Sequence, residues 1–181
     1  MILSIAKVLF LAFFDICRLV KRPQDIPESR NLLTLCAIVY GLLSIWLASL
    51  SQPIESAIVV GTVELVLIMV FTLAVLQASG KSSRWTQTVT ALVGTGIIIS
   101  ILAFPIYILL GVGELNEVEL STFQNIGLLL LAALSCWNIA IMAHILRHAL
   151  EINFAIALFL AITYIWIIFS FTSAIVPMET N

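Results

Sequence analysis

The chain has 181 residues, of which 62% are hydrophobic and 10% are charged, and its mean hydropathy is +1.18. In soluble domains about a quarter of all residues are charged. This composition therefore excludes an ordinary soluble domain and predicts an integral membrane protein. The net charge of −2 excludes a basic surface for nucleic acid, and the length fits one membrane domain.

Residues 1–22 are predicted to form an amphipathic helix at the membrane interface. Positions at steps of three or four fall on one stripe of a helix, and all but one of those positions are polar here. They are Ser4, Lys7, Leu11, Asp15, Arg18 and Arg22. The high apolar share of this segment leaves a partly inserted or re-entrant helix open as an alternative.

Residues 23–31 form a polar cytoplasmic elbow, because Pro23 and Pro27 interrupt any continuous helix. Five apolar segments follow, each long enough to cross a hydrocarbon core of about 30 Å. They are predicted at 32–50, 54–76, 86–110, 123–146 and 152–176, and residues 177–181 form an exterior tail. The predicted fold class is therefore all-α, with a membrane domain of five transmembrane helices at 32–176. Pro105 is expected to kink the third span or end it early.

The basic residues indicate the orientation of these spans. All eight Lys and Arg residues lie before the first span, between the second and third, or between the fourth and fifth. The loops on the other side carry only acidic charges, among them Glu114, Glu117 and Glu119. The positive-inside bias therefore places the amino terminus in the cytoplasm and the carboxyl terminus outside it. In a bacterial inner membrane the carboxyl terminus would be periplasmic.

A series of short motifs runs in order through the later spans. They are a basic turn with Gly80, the pair Trp85 and Gln87, a span with Gly94 and Gly96 that ends near Pro105, a span with a central Trp137, and a basic turn leading into Ala149. Over about residues 32–175 this order resembles the Yip1 family of five-span membrane proteins. The long cytoplasmic region and the DLYGP-like motif of eukaryotic members are missing, which favours a bacterial-type relative. The resemblance implies a membrane scaffold or accessory protein and no catalytic residue.

Glu64 lies near the centre of the second span, where an ionised carboxylate is costly unless it is paired or protonated. Ser100 and Asn138 are expected at about the same depth, so the three residues form a candidate intramembrane polar site. One interpretation is a proton- or ion-coupled site. The other is a protonated carboxyl that bonds Asn138, Ser100 or a backbone carbonyl and helps the helices to pack. The second is favoured, because one carboxylate without a membrane-embedded Lys or Arg makes a poor relay.

The basic ends of the spans form a second candidate site, a cytoplasmic interface cluster. Its members are Lys81, Arg84, His144, Arg147 and His148. The last three share one helix face with Glu151. Two histidines one turn apart on the same helix cannot bind opposite faces of a haem, and further metal ligands are missing. The cluster is expected to reach towards lipid phosphates with its long side chains.

The sequence carries no phosphate-binding loop, no metalloprotease motif and no serine-hydrolase motif, so we predict no enzyme, no cofactor and no metal. The expected partners are the lipid bilayer and another integral membrane protein or a second copy of the chain, without nucleic acid. The leading function is a non-catalytic scaffold or accessory subunit of a membrane complex. The alternative is a small transporter or channel with an intramembrane site around Glu64, although no convincing internal repeat supports it.

Overall fold

The computed structural model describes residues 2–111 and 122–175, except for the side chains of residues 2–6 and 175. All regular structure in these two stretches is helical, which confirms the predicted all-α class. The helices are α1 Ile2–Cys17, α2 Arg30–Ala48, α3 Ile54–Ala78, α4 Trp85–Leu110, α5 Thr122–Leu150 and α6 Phe154–Ile175. Short 3-10 turns lie at Pro23–Asp25 and Ser82–Arg84.

Helices α2 to α6 are each long and apolar enough to cross a membrane. The described part of the chain thus holds five candidate spans, as the sequence predicts. Among these spans, the largest difference at a helix end is in α5, which continues past the expected end near residue 146 to Leu150, whereas the other ends lie within two residues of the prediction. Helix α4 passes through Pro105 to the predicted end at Leu110, so Pro105 does not end that helix early. The acidic loop with Glu114, Glu117 and Glu119 and the tail 177–181 lie outside the described residues.

Local sequence explains where several helices begin and end. Ser29 Oγ accepts a hydrogen bond from the Leu32 N–H at 3.3 Å and caps the start of α2. Helix α4 ends at Gly111, whose φ of 59° is a left-handed conformation that glycine adopts at little cost. Helix α5 ends at Glu151, which adopts φ 55° without being glycine. The ion pairs of Glu151 described below help to offset that conformational cost.

Helix α4 is the central element, because it packs against α1, α2, α3 and α5. Every residue from Thr88 to Thr95 in it is buried. Two of its glycines sit where another helix brings an aromatic ring. A Cβ on Gly94 would meet the Phe13 ring of α1, and a Cβ on Gly96 would meet the Tyr40 ring of α2 at 2.5 Å. Larger residues at these positions would separate the helices.

Helix α1 packs on α4 and α5 through its carboxyl-terminal half, where Phe13, Ile16 and Cys17 are buried. The structure agrees only in part with the prediction that one stripe of this helix is polar and faces outward. Lys7 and Arg18 are exposed, while Asp15 pairs with Lys21 at 3.1 Å. Leu11, on the same stripe, is exposed, and so are the apolar side chains of Val8, Phe10 and Phe14. The side chain of Ser4 is among those that the structure does not describe. The outer surface of α1 therefore mixes apolar and charged groups.

Hydrogen bonds bring together the elbow 23–31, the turn 79–84 and the turn 151–153 at one end of the bundle. Gln24 Nε2 donates to the His148 carbonyl at 2.7 Å, and Lys81 Nζ donates to the Leu150 carbonyl at 2.7 Å. We call this the basic end, because the predicted basic turns meet there. The loop 49–53 between α2 and α3 lies at the opposite end, which we call the far end.

Candidate functional site

A cavity of about 370 Å³ lies between helices α2 to α6. It extends from the level of Glu64 to Ser51 and Gln52 in the loop at the far end. Ser100 and Asn138 also line it, so the structure brings together all three residues predicted for the intramembrane site. We call it the Glu64 cavity.

Both carboxylate oxygens of Glu64 accept hydrogen bonds from α2. Tyr40 Oη donates to Oε1 at 2.5 Å, and Ser44 Oγ donates to Oε2 at 2.9 Å. Tyr40 and Ser44 lie one helical turn apart and therefore point to the same side of α2. The expectation that Glu64 bonds Asn138, Ser100 or a backbone carbonyl is therefore wrong about the partners. Those two polar residues line the cavity instead.

The chain has three tyrosines, and all of them line the Glu64 cavity. They come from three helices: Tyr40 from α2, Tyr107 from α4 and Tyr164 from α6. The Tyr164 hydroxyl is buried and has no hydrogen-bond partner among the described residues. A buried polar group left in this state costs about 1–3 kcal/mol.

The Glu64 cavity contains no basic side chain. All eight Lys and Arg residues fall in the described part of the chain, and none of them lines this space. In addition, no group of three or more His, Cys, Asp or Glu side chains in residues 2–111 and 122–175 could hold a metal ion. Among the described residues that line the cavity, Glu64 is therefore the single acidic side chain, and the other polar groups there are hydroxyl and amide groups.

At the basic end, Lys81 and Arg84 hold the carboxyl terminus of α5. Lys81 Nζ donates to Glu151 Oε2 at 2.7 Å, and Arg84 Nη2 donates to Glu151 Oε1 at 2.6 Å. The same two side chains donate to the last helix carbonyls, those of Leu150 and Ala149. Hydrogen bonds from Lys81 and Arg84 lower the pKa of Glu151 to about 2. Cations at a helix carboxyl terminus also oppose the negative end of its dipole.

The rest of the predicted interface cluster divides into two environments. His144 is buried, with Nε2 at 3.0 Å from the Lys21 carbonyl, and its ring meets His148 edge-on at 4.6 Å. The expectation that His144 reaches towards lipid phosphates is therefore wrong, because its side chain is buried beside the Lys21 carbonyl. Arg147 and the half-buried His148 instead line a second pocket together with Arg22.

Sequence reasoning missed the hydrogen bonds that tie the amino-terminal segment to the bundle. Trp137 Nε1 donates to the Cys17 carbonyl at 2.9 Å, and Gln87 Nε2 donates to the Ile26 carbonyl at 3.0 Å. A partly buried Trp and a Gln inside apolar helices need hydrogen-bond partners, so both residue types were a usable signal. Nothing in the pattern of residues indicates that these partners are carbonyls of the elbow and of α1.

Comparison of the chain with protein-family models, with curated proteins and with solved structures gives no match. The resemblance to the Yip1 family therefore stays a prediction from the motifs quoted above.

Proposed function

We propose that this chain is a non-catalytic integral membrane protein that binds a small organic cation in the Glu64 cavity, as a small transporter or channel would. The observation that carries the proposal is the position of the Glu64 carboxylate. Both of its oxygens accept hydrogen bonds, it lines a cavity of about 370 Å³, and no basic side chain of the protein lies there to neutralise it. An ionisable group at membrane depth is a functional candidate by default.

The walls of the cavity favour an organic cation over a metal ion. Three phenol rings surround the space, and aromatic faces attract ammonium groups. Metal ions prefer several anionic or imidazole ligands, whereas this cavity supplies one carboxylate. The volume also lies in the range of about 300–1,000 Å³ that small-molecule sites occupy. A protonated amine or a quaternary ammonium compound fits these features.

The packing at the two ends of the bundle favours entry of a ligand into the Glu64 cavity from the far end. The cavity reaches the loop 49–53, whereas buried residues that do not line it, at 88–91 in α4 and 143–146 in α5, fill the bundle towards the basic end. With the amino terminus in the cytoplasm, as the basic residues indicate, the cavity faces the periplasm of a bacterial inner membrane. A transporter would then have to open the packed basic end, while a binding protein would not.

A thermal-shift experiment on the purified chain tests this proposal. Tetramethylammonium and tetraethylammonium chloride should raise the melting temperature, and sodium chloride at the same ionic strength should not. Glu64→Gln should lose this stabilisation. Glu55→Gln is the matched control, because Glu55 lies exposed in the first turn of the same helix. Equal cation stabilisation of both variants would contradict the proposal, and cation uptake into proteoliposomes would separate a transporter from a binding protein.

Orientation is tested separately by fusing reporters to the chain. A reporter within residues 80–83 should be active in the cytoplasm, and one after Asn181 should be active outside it. A cytoplasmic carboxyl terminus would contradict both the orientation and the number of spans.

A scaffold or accessory subunit of the Yip1 kind is the second candidate, and the basic end favours it. The elbow is fixed to the bundle by its own Gln24, which bonds the His148 carbonyl, and by Gln87 of α4, which bonds the Ile26 carbonyl. His144 of α5 contacts the Lys21 carbonyl just before the elbow. Such a fixed surface at the membrane boundary suits docking of another membrane protein or a second copy. Purification in mild detergent, followed by measurement of the mass of the complex, tests this candidate. A monodisperse single chain would count against it.

A further inference from the structure

A second pocket, of about 410 Å³, lies at the basic end. Three arginines line it, and they come from three separate parts of the chain: Arg22 from the residue just before the elbow, Arg84 from the turn before α4, and Arg147 from the last turn of α5. We call it the arginine pocket. The fold therefore collects positive charge that is dispersed along the sequence.

The two acidic residues that line the arginine pocket already have partners. Glu151 is bonded through one oxygen to Lys81 and through the other to Arg84. Asp25 Oδ2 accepts a hydrogen bond from the backbone N–H of Arg22 at 2.9 Å. The acids therefore hold the turns in place, and they do not form ion pairs with Arg22 or Arg147.

The guanidinium groups of Arg22 and Arg147 make no hydrogen bond or ion pair with any residue that the structure describes. Both lie close enough to His148 to act on its ring electrostatically. Two cations beside one pocket repel each other, and an anion between them would remove that repulsion. A guanidinium presents a planar fork of donors that matches phosphate oxygens, so phosphate is the anion that this pair fits best.

Gln24 supplies a further feature of this pocket. Its Nε2 donates to the His148 carbonyl, while its Oε1 is buried and has no donor in the described part of the protein. The Gln24 side chain thereby ties this wall of the pocket to the last turn of α5.

From these contacts we propose that the arginine pocket binds an anionic phosphate group, held by Arg22 and Arg147. The group belongs either to an anionic lipid headgroup or to a free phosphate in the cytoplasm. This site is separate from the Glu64 cavity, and the proposal does not depend on a ligand there.

The test uses the full chain in an uncharged detergent. Binding of phosphatidylglycerol, of phosphatidylcholine and of inorganic phosphate is measured by native mass spectrometry and by the melting temperature. The wild type should retain phosphatidylglycerol or be stabilised by inorganic phosphate. The double variant Arg22→Gln/Arg147→Gln should bind the same probe about tenfold more weakly or worse. The matched control is Arg18→Gln/Arg30→Gln, which removes two exposed arginines that do not line the pocket and should bind as the wild type does.

The outcomes separate the two sources of phosphate. Loss of phosphatidylglycerol in the double variant, with no effect of inorganic phosphate on the wild type, assigns the site to a lipid headgroup. Stabilisation of the wild type by inorganic phosphate, lost in the double variant, assigns it to a soluble phosphate. The proposal is overturned if the wild type prefers neither probe over phosphatidylcholine, or if both double variants lose binding equally. Equal melting temperatures of the two double variants without ligand would show that the comparison is not affected by folding.

Discussion

The turns of the basic end and the Glu64 cavity use polar groups in different ways. In the turns, polar side chains bond carbonyls that helix ends and the elbow leave free: Lys81 and Arg84 bond those of α5, and Gln87 bonds that of Ile26. In the cavity, a carboxyl group and three phenols line open space. Polar residues in this membrane protein are therefore either bonded within the fold or lie beside a space that a ligand can enter, as they also do in the arginine pocket, and the packing around them distinguishes the two.

The largest expected effect comes from removing packing at the basic end. Leu146 in α5 is completely buried, whereas Leu131 in the same helix is half-buried and lines the Glu64 cavity. Leu146→Ala should lower the free energy of unfolding by about 2–5 kcal/mol, because it leaves a new void. Leu131→Ala only enlarges an existing space and should cost clearly less. Denaturation in mixed micelles measures the free energy of unfolding of both variants. Equal decreases in the two variants would contradict the difference in packing between the two regions.

The next effect concerns Glu64 itself. Glu64→Leu removes the acceptor for the Tyr40 and Ser44 hydroxyls and should destabilise the chain by about 1–3 kcal/mol. Glu64→Gln keeps an acceptor and a similar shape, so its melting temperature should stay close to that of the wild type. The Gln variant should nevertheless fail to respond to organic cations. A fully stable Gln variant that still binds cations would make Glu64 a packing residue only.

A smaller effect is expected from pH at the basic end. The pKa of Glu151 is lowered to about 2 in the folded chain, from an ordinary value of 4.5. Its ion pairs therefore contribute full stability above pH 4.5, and that contribution is lost as the pH falls towards 2. Glu151→Gln should show a weaker drop in melting temperature over this range than the wild type. Glu28→Gln, which changes an exposed carboxylate of the elbow, should behave as the wild type does.

The number of helices was accessible from the sequence, because a membrane span needs a long apolar stretch and five such stretches are present. The continuation of α4 through Pro105 could not be predicted from the sequence, because neighbouring helices can compensate for a missing backbone hydrogen bond in a membrane. The depth of Glu64 was predicted, but its partners were not. Apolar residues surround these helices on all sides, so the rotation that turns Glu64 towards Tyr40 is set by packing.

The basic cluster shows the same limit. Positive-inside counting placed Lys81, Arg84 and Arg147 on one side, but it carried no information about their contacts. His144 was grouped with them because it lies one turn before His148. In the structure His144 is buried, with its ring nitrogen against the Lys21 carbonyl. Spacing along one helix identifies a shared face, and only tertiary structure shows what covers that face.

The hydrogen bonds between the start of the chain and α5 have a consequence for biosynthesis. The Cys17 carbonyl and its partner Trp137 are separated by 120 positions, and the Lys21 carbonyl and His144 by 123. A ribosome makes α1 first, so these two contacts can form only after four spans have been synthesised. A chain truncated before α5 should keep the packing of Phe13 on α4 but lack both contacts. The amino-terminal segment should therefore be held more weakly in the truncated chain and should be cleaved faster by an added protease than in the full chain.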